Sequence, residues 1–254
     1  MSIAEQFKIQ INNDYLIHRE NTWDYKSFNS KVSEVIDFSG GKDSYQVMQQ
    51  YLKNCVEENF WISITRVKQE NLENRLLLQK NHFELVEISY EVVCEFRNLK
   101  NLNKSGKIKN KYILGEECNL LELENLAERM FHYGRFSEDL FIDKEKSNLR
   151  FRNWCHDLYY GDCERIYLHN NKKLIGFMFF ENKNDALKLI LGGMSPNYSH
   201  LACDFWSQVF LKHGKSKKVI TTISAANLGI LNLYSFFGFK VMNCFSGYRR
   251  LFNG

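Results

Sequence analysis

Two stretches of this 254-residue sequence combine residue types and spacings that could do chemistry. Residues 39–44 read SGGKDS, and a glycine-rich loop before a helix can present backbone N–H groups to a phosphate. Farther along, Asn227 precedes an apolar stretch that contains Tyr234 and ends just before Gly238. Asparagine before a helix and glycine after it are typical caps, so this pattern predicts a helix over 227–237 that carries an ionisable tyrosine.

The first stretch resembles the SGGxDS loop of the ATP pyrophosphatase family, and that resemblance implies an ATP-binding enzyme. The strand before such a loop should be buried and almost continuously apolar. Residues 31–38 instead include Lys31, Glu34 and Asp37, and no succession of strand–helix–strand units follows. We therefore interpret 39–44 as a polar turn that leads into a helix, with the ATP pyrophosphatase as an alternative from another enzyme class.

The second stretch resembles the Gcn5-related N-acetyltransferase (GNAT) superfamily. The family signature N-x-x-x-x-x-L-Y-x-x-x-G-F is matched by Asn227, Leu233, Tyr234, Gly238 and Phe239, and the V-x-P strand end by Met194 and Pro196. This resemblance implies direct transfer of an acyl group, acetyl or somewhat longer, from acyl-CoA to an amine. It also implies Tyr234 as the general acid. A tyrosine, with a pKa of about 10, keeps its proton beside a leaving thiol of pKa about 8.5.

The same resemblance assigns coenzyme binding to the end of one strand, the loop after it and a helix cap. These positions are Leu191, Gly192, Gly193, Met194, Ser199, His200, Leu201, Ala202 and Asn227. Backbone groups of the strand would pair with the pantetheine arm, and an N–H near Met194 would polarise the acyl carbonyl.

The loop departs from the family pattern [RQ]-x-x-G-x-[GA]. Ser199 stands in place of Arg or Gln, Ala202 in place of the central glycine, and Asp204 in place of a small residue. An acidic residue near a pyrophosphate would repel it. Three outcomes stay open: binding in an altered geometry in which Ser199 or His200 compensates, weak binding, or an inactive site that leaves a GNAT binding module.

Residues 132–161 and the N-terminal half resemble TDP-fucosamine acetyltransferase and its relatives, in which a degenerate GNAT-like half precedes the catalytic one. This likeness implies a nucleotide-linked deoxyaminosugar, carried on dTDP, as the small-molecule substrate, as in O-antigen biosynthesis. Candidate bases and phosphate partners on the substrate side are His132, His156, Glu181, Arg135 and Arg152. Solvated side chains and surface ion pairs are the alternative roles for all five.

The elements that position these residues alternate between strand-like and helix-like stretches, which is typical of an α/β or α+β fold. Asn71 and Phe83 repeat the 12-residue spacing of Asn227 and Phe239, with Leu78 where the second copy has tyrosine. The prediction is two tandem GNAT-like halves with mixed sheets flanked by helices. The degenerate domain would span 1–105 and the catalytic domain 106–254, with the boundary in the basic segment 97–111.

Composition excludes several other classes. The net charge of +4 is too small to predict a nucleic-acid or anionic-membrane partner. Seven scattered cysteines without a C-x-x-C pair predict free thiols and no metal site. The N-terminus lacks the pattern of a signal peptide, so a cytoplasmic protein is expected. Whether the chain forms a homodimer is left open.

Overall fold

In the computed structural model, residues 5–102, 112–183, 185–214 and 217–252 are described. The chain forms two compact units, each built from separate segments. Unit 1 comprises Met1–Ser89, Gly134–Ser147 and Cys244–Gly254, and unit 2 comprises Tyr90–Tyr133 and Asn148–Asn243. The domain boundary expected between residues 105 and 106 lies outside the described residues, so the division into 1–105 and 106–254 stays a prediction.

Unit 1 contains a sheet whose first strands run in chain order. They are β1 (Gln6–Ile11), β2 (Asp14–Glu20), β3 (Lys31–Phe38) and β4 (Phe60–Lys68), joined by helices α1 (Thr22–Phe28) and α2 (Ser44–Glu57) and followed by α3 (Leu72–Lys80). The β1–β2 and β2–β3 pairs are antiparallel, whereas β3 and β4 are parallel. The last strand of the chain, β11 (Lys240–Leu251), pairs antiparallel with β4 through residues 245–251.

Helix α2 forms because its apolar residues recur at helical spacing. Val47, Met48, Tyr51, Leu52 and Cys55 are all buried, whereas the opposite face is polar. Burial of each large side chain in this stripe contributes roughly 1.5–3 kcal/mol. The sequence predicted a helix directly after the turn at 39–44, and the structure shows it over Ser44–Glu57.

The strands of unit 2 are also mixed in direction. Strand β5 (Glu84–Glu95) begins in unit 1 and continues into unit 2, where the strand order is β5-β10-β9-β8-β7-β6. These strands are β6 (Tyr112–Gly115), β7 (Glu164–Asn170), β8 (Lys173–Lys183), β9 (Ala186–Met194) and β10 (Lys218–Ser224). The helices are α4 (Leu120–Met130), α5 (Lys144–Tyr160), which begins in unit 1 and continues into unit 2, α6 (Ala202–His213) and α7 (Leu228–Phe236). Strands β6 to β9 pair antiparallel, and β9 pairs with β10 in parallel.

Side chains alternate across the sheet of unit 2, so that it has a core on each face. On β7, Ile166 and Leu168 join a cluster with α6 and α7, whereas Tyr167 joins a cluster with α4 and α5. The β7–β8 hairpin turns at Asn171 and Lys172, both with positive φ (49° and 68°), as two-residue hairpins require. The α+β fold class predicted from sequence, with mixed sheets flanked by helices, is confirmed.

Among the described residues, no helix combines the length and the apolar character needed to cross a membrane.

Candidate active site

The parallel strands β9 and β10 pair over only part of their length. Their register joins 186–188 to 218–220, although β9 continues to Met194 and β10 to Ser224. No further pair between these strands occurs in the described part of the chain, so they diverge beyond Ile220. Because strand backbones must satisfy their hydrogen bonds, the segment 189–194 offers N–H and C=O groups to a ligand in this gap.

The hydroxyl of Tyr234 lies at the start of this gap. Tyr234 is 3% exposed on α7, and its Oη accepts a hydrogen bond of 3.1 Å from the indole N–H of Trp206. Burial raises the pKa of Tyr234 to about 12, although its contacts with Trp206 and Thr221 act in the opposite direction. Thr221 is the first residue of β10 after the last pair, and its hydroxyl donates to the carbonyl of Leu189 at 3.2 Å. Tyr234 therefore presents a protonated phenol where the strands separate.

Close packing of neighbouring side chains explains why β9 has glycine at positions 192 and 193. A Cβ on Gly192 would lie 2.4 Å from the sulfur of Met178, and one on Gly193 would lie 2.6 Å from the terminal methyl of Met130. Methionine side chains thus lie directly over this end of the strand. The side chains of Leu191 and Met194 are buried. On β9, only backbone groups are therefore available for the predicted coenzyme contacts.

The loop after β9 is a short 3-10 helix over Pro196–Leu201 that continues directly into α6. The predicted positions Ser199, His200 and Leu201 lie in it, and Ala202 begins α6. The N–H of Ala202 donates to the carbonyl of Ser199. In this conformation the loop therefore uses internally a donor that the sequence resemblance assigns to a coenzyme pyrophosphate.

A cavity of about 380 Å³ in unit 2 adjoins the end of β9. Arg129 and Met130 of α4, Lys173 of β8, and Ser195 and Pro196 contribute to its lining. Neither Arg129 nor Lys173 forms an ion pair with another residue in the described ranges. Sequence reasoning missed both, because a lone basic residue on a helix or in a hairpin turn reads as solvated surface.

Comparison with known proteins identifies the fold. No family model and no curated protein matches this sequence. Solved structures do. A tandem GNAT protein from the clavulanic acid biosynthesis pathway superposes with a TM-score of 0.64 at 7% identity, over 98% of this chain and 83% of that one. A GCN5-related N-acetyltransferase from Sphaerobacter thermophilus gives 0.62 at 10% identity, over 93% and 76%. The fold is that of the GNAT acetyltransferases.

A third GNAT structure is part of a larger protein. It is the GCN5-related glucosamine N-acetyltransferase region of a fungal multi-domain GH3 β-N-acetylglucosaminidase, with a TM-score of 0.66 at 11% identity. The match covers 93% of this chain and 31% of that one. At such identities the likeness shows the fold alone, so the chemistry must be argued from the residues.

Within the GNAT fold, both units contain the same helix–turn–strand segment. The side chain of Asn71 caps α3 through the N–H of Asn74 at 3.0 Å, and that of Asn227 caps α7 through the N–H of Ile230 at 3.2 Å. Each helix then turns into the next strand by the same backbone hydrogen bond of 3.0 Å, from Phe83 N–H to Leu78 and from Phe239 N–H to Tyr234. Leu78 is fully buried, so unit 1 has an alkyl group where unit 2 has a phenol.

The substrate-side candidates fall into separate places. In unit 2, Glu124 of α4 accepts hydrogen bonds from His156 Nδ1 at 2.8 Å and Arg152 Nη2 at 3.3 Å. His156 lies on α5, which packs on one face of the sheet, whereas Tyr234 lies on α7, which packs on the other face. In unit 1, Arg135 pairs with Glu34 at 3.3 Å.

The remaining two candidates, His132 and Glu181, lie in unit 2. His132 is exposed just after α4, and Glu181 is partly buried on β8. The substrate-binding roles of all five residues stay predictions.

The SGGKDS loop connects β3 to α2, and its hydrogen-bond donors bind a carboxylate of the same chain. The carboxylate of Asp14 accepts hydrogen bonds from Ser39 Oγ (2.6 Å), Gly41 N–H (3.0 Å) and Asp43 N–H (2.7 Å). A Cβ on Gly41 would lie 2.3 Å from Asp14 Oδ1, which explains the glycine. With these donors taken by a carboxylate, the structure favours the interpretation of 39–44 as a turn over that of an ATP-binding loop.

Proposed function

We propose that unit 2 transfers an acyl group from acyl-CoA to the amino group of a small molecule. The observation that carries this proposal is the position of the Tyr234 hydroxyl beside Thr221, where β9 and β10 stop pairing. Attack of a neutral amine on a thioester requires a polarised carbonyl and a stabilised thiolate. Backbone N–H groups near Met194 serve the first requirement, and Tyr234 serves the second.

The coenzyme phosphates need positive charge that the loop at 199–204 does not supply. Arg129 and Lys173 line the cavity beside Ser195 and Pro196, at the end of the strand that would hold the pantetheine arm. Neither side chain carries an ion pair within the described ranges, and the carboxylate of Glu122, which also lines the cavity, accepts a hydrogen bond from the N–H of Leu174 at 3.3 Å. We assign the pyrophosphate to these two cations, in place of the backbone cradle that the family pattern implies.

For the acceptor, we propose a nucleotide-linked deoxyaminosugar, in line with the resemblance of residues 132–161. The glucosamine N-acetyltransferase with a similar fold supports an aminosugar as the substrate class. We assign no base to deprotonation of the sugar amine: His156, which Glu124 orients through Nδ1, lies on the opposite face of the sheet from Tyr234, so the amine would have to bind in its neutral form.

The test is release of free thiol from acetyl-CoA and longer acyl-CoAs with dTDP- and UDP-aminosugars as acceptors. Tyr234→Phe should lower kcat roughly 100-fold, because it removes a donor to developing negative charge, and should leave the affinity for the coenzyme unchanged. Tyr167→Phe is the matched control, since Tyr167 is equally buried in unit 2 on the other face of the sheet. Equal turnover of the Tyr234→Phe variant and the wild type would exclude the assigned role.

A second candidate function is a GNAT binding module without turnover. It is favoured by the N–H of Ala202, which the 3-10 turn already uses. Calorimetry distinguishes the candidates: an acyl-CoA that binds but is never hydrolysed or transferred supports the module, and absence of binding for every acyl-CoA tested contradicts both.

A further inference from the structure

Unit 1 has a polar cavity at the corresponding divergence of its own parallel strands. The β3–β4 register ends at Val35 and Thr65, although β3 continues to Phe38 and β4 to Lys68. A cavity of about 220 Å³ opens at this end of the pair. Its lining, which we call the arginine pocket, comprises Gln6, Arg19, Glu34, Val35, Ile36, Arg66 and Arg135. Three of these seven residues are arginines, from three distant parts of the sequence.

The charges in the arginine pocket do not balance. Glu34 forms ion pairs with both Arg19, at 2.7 Å, and Arg135, at 3.3 Å. Arg66 forms an ion pair with Glu87 at 2.6 Å. The lining itself holds three guanidinium groups and one carboxylate, that of Glu34, so positively charged side chains outnumber negatively charged ones there. Burial acts to raise the pKa of Glu34, but the nearby charges of Arg135 and Arg19 outweigh it and hold that pKa below its usual value. The carboxylate of Glu34 is therefore ionised, and two arginines, Arg19 and Arg135, already share it.

The hydrogen-bonding capacity of the arginines is also only partly used. Arg19 donates to Glu34 through Nε and Nη2, and Arg135 through Nη2 alone. An arginine has five N–H groups, and no other acceptor for these two side chains occurs among the described residues. The side chain of Arg135 is only 13% exposed, so its remaining donors are reached mainly from the cavity. An oxygen-rich anion in the cavity would accept hydrogen bonds from these unused donors.

We propose that the arginine pocket binds a small oxyanion, of carboxylate or phosphate chemistry, at a site separate from acyl transfer in unit 2. Guanidinium groups favour such ligands because two parallel N–H donors match two anionic oxygens. The excess of guanidinium groups over carboxylates in the lining suits an anionic ligand group.

Calorimetry with the full-length protein tests this proposal, using inorganic phosphate and succinate as probes at constant ionic strength. Arg135→Lys keeps the charge but loses the forked donor, so the affinity for the better probe should fall about tenfold. Arg75→Lys is the matched control: Arg75 is also in unit 1, but it donates to the carbonyl of Gln69 and does not line the pocket. Unchanged affinity in Arg135→Lys, or no binding of either probe to the wild type, would overturn the proposal.

A second measurement avoids any variant that fails to fold. Phenylglyoxal modifies accessible guanidinium groups, and mass spectrometry of the digested wild-type protein gives the rate at each arginine. The bound probe should slow modification of Arg19 and Arg135 and leave Arg75 unaffected. Equal slowing at all three sites would show general screening by the anion and contradict a specific pocket. Protection by phosphate but not by succinate, or the reverse, identifies which anion chemistry the pocket prefers.

Discussion

The phenol of Tyr234 is buried against Trp206 and beside Thr221, and burial raises its pKa to about 12. A thiol has a pKa of about 8.5, so complete transfer of the proton from this phenol to a thiolate is uphill by about 5 kcal/mol. In the proposed reaction Tyr234 therefore stabilises the developing thiolate as a hydrogen-bond donor, and solvent supplies the final proton. This predicts a large effect of Tyr234→Phe on kcat without a tyrosine-dependent change of rate near neutral pH.

The side chain of Asp14 occupies the donors of the SGGKDS loop that would otherwise be available to a phosphate. Its carboxylate takes the donors that a phosphate would need in the SGGKDS loop. The hydroxyl of Ser39 and the N–H groups of Asp43 and Gly41 hold the pKa of Asp14 below its usual value, even though burial acts against them. The ionised carboxylate is thus the form that the folded loop prefers.

Replacement of this carboxylate should destabilise the protein in a pH-dependent way. A lowered pKa in the folded state means that the stabilisation is complete above the unfolded-state pKa of about 3.9 and is lost as the pH falls through the folded-state value. Urea unfolding at pH 7 should show a lower midpoint for Asp14→Asn than for the wild type, and the difference should shrink below about pH 4. Asp37→Asn, which alters an exposed contact with Tyr15, is the control. Equal midpoints at pH 7 would contradict this role of Asp14.

At the scale of elements, the end of β9 combines two demands: backbone groups accessible to a ligand and methionines packed over the strand. Gly192 and Gly193 meet both demands but differ in their surroundings. A Cβ on Gly192 would approach the carbonyl oxygen of Phe177 at 2.9 Å as well as Met178, whereas a Cβ on Gly193 would meet only the flexible end of Met130 below 3 Å. A methionine terminus can move aside, and a backbone carbonyl in a paired strand cannot.

Alanine at these two positions should therefore have unequal effects. Gly192→Ala should lower the free energy of unfolding by about 1–3 kcal/mol through overpacking, and Gly193→Ala by less. Chemical denaturation of the two variants, measured beside the wild type, gives the comparison. A larger loss for Gly193→Ala would mean that Met130 is held rigidly. In that case the double variant Gly193→Ala/Met130→Ala should recover stability.

The sequence predicted the helices and strands better than it predicted the side-chain contacts between them. Local signals were sufficient for the cap at Asn227 and for the helix that carries Tyr234, because each depends on neighbours a few residues away. Asp14 and the loop that it fills are 25 to 29 positions apart, and the arginine pocket joins Arg19, Arg66 and Arg135. Contacts of this kind depend on strand order and register, which periodicity does not specify.

At the scale of the whole molecule, the chain does not divide at a single point. Unit 1 includes residues 134–147 and 244–254 besides the N-terminal segment. Phe136 and Ile142 from the first of these segments share a core with Phe28 and Ile62, and residues 245–251 pair with β4. The N-terminal segment therefore obtains part of its core and one strand partner from sequence more than 30 positions beyond residue 102.

An N-terminal fragment should consequently fail to fold by itself. A fragment of residues 1–105 exposes the edge of β4 that pairs with residues 245–251 and the side chain of Phe28 that packs on Phe136, with ring centroids 4.9 Å apart. An unpaired central strand and an open aromatic core remove stabilisation comparable to the whole free energy of folding of a small domain, about 5–15 kcal/mol. Near-UV circular dichroism and thermal unfolding of this fragment should show no cooperative transition. Its complement, residues 106–254, should restore one when the two fragments are refolded together, because only then are all segments of unit 1 present. A cooperative transition of fragment 1–105 alone would instead establish that segment as an independent domain.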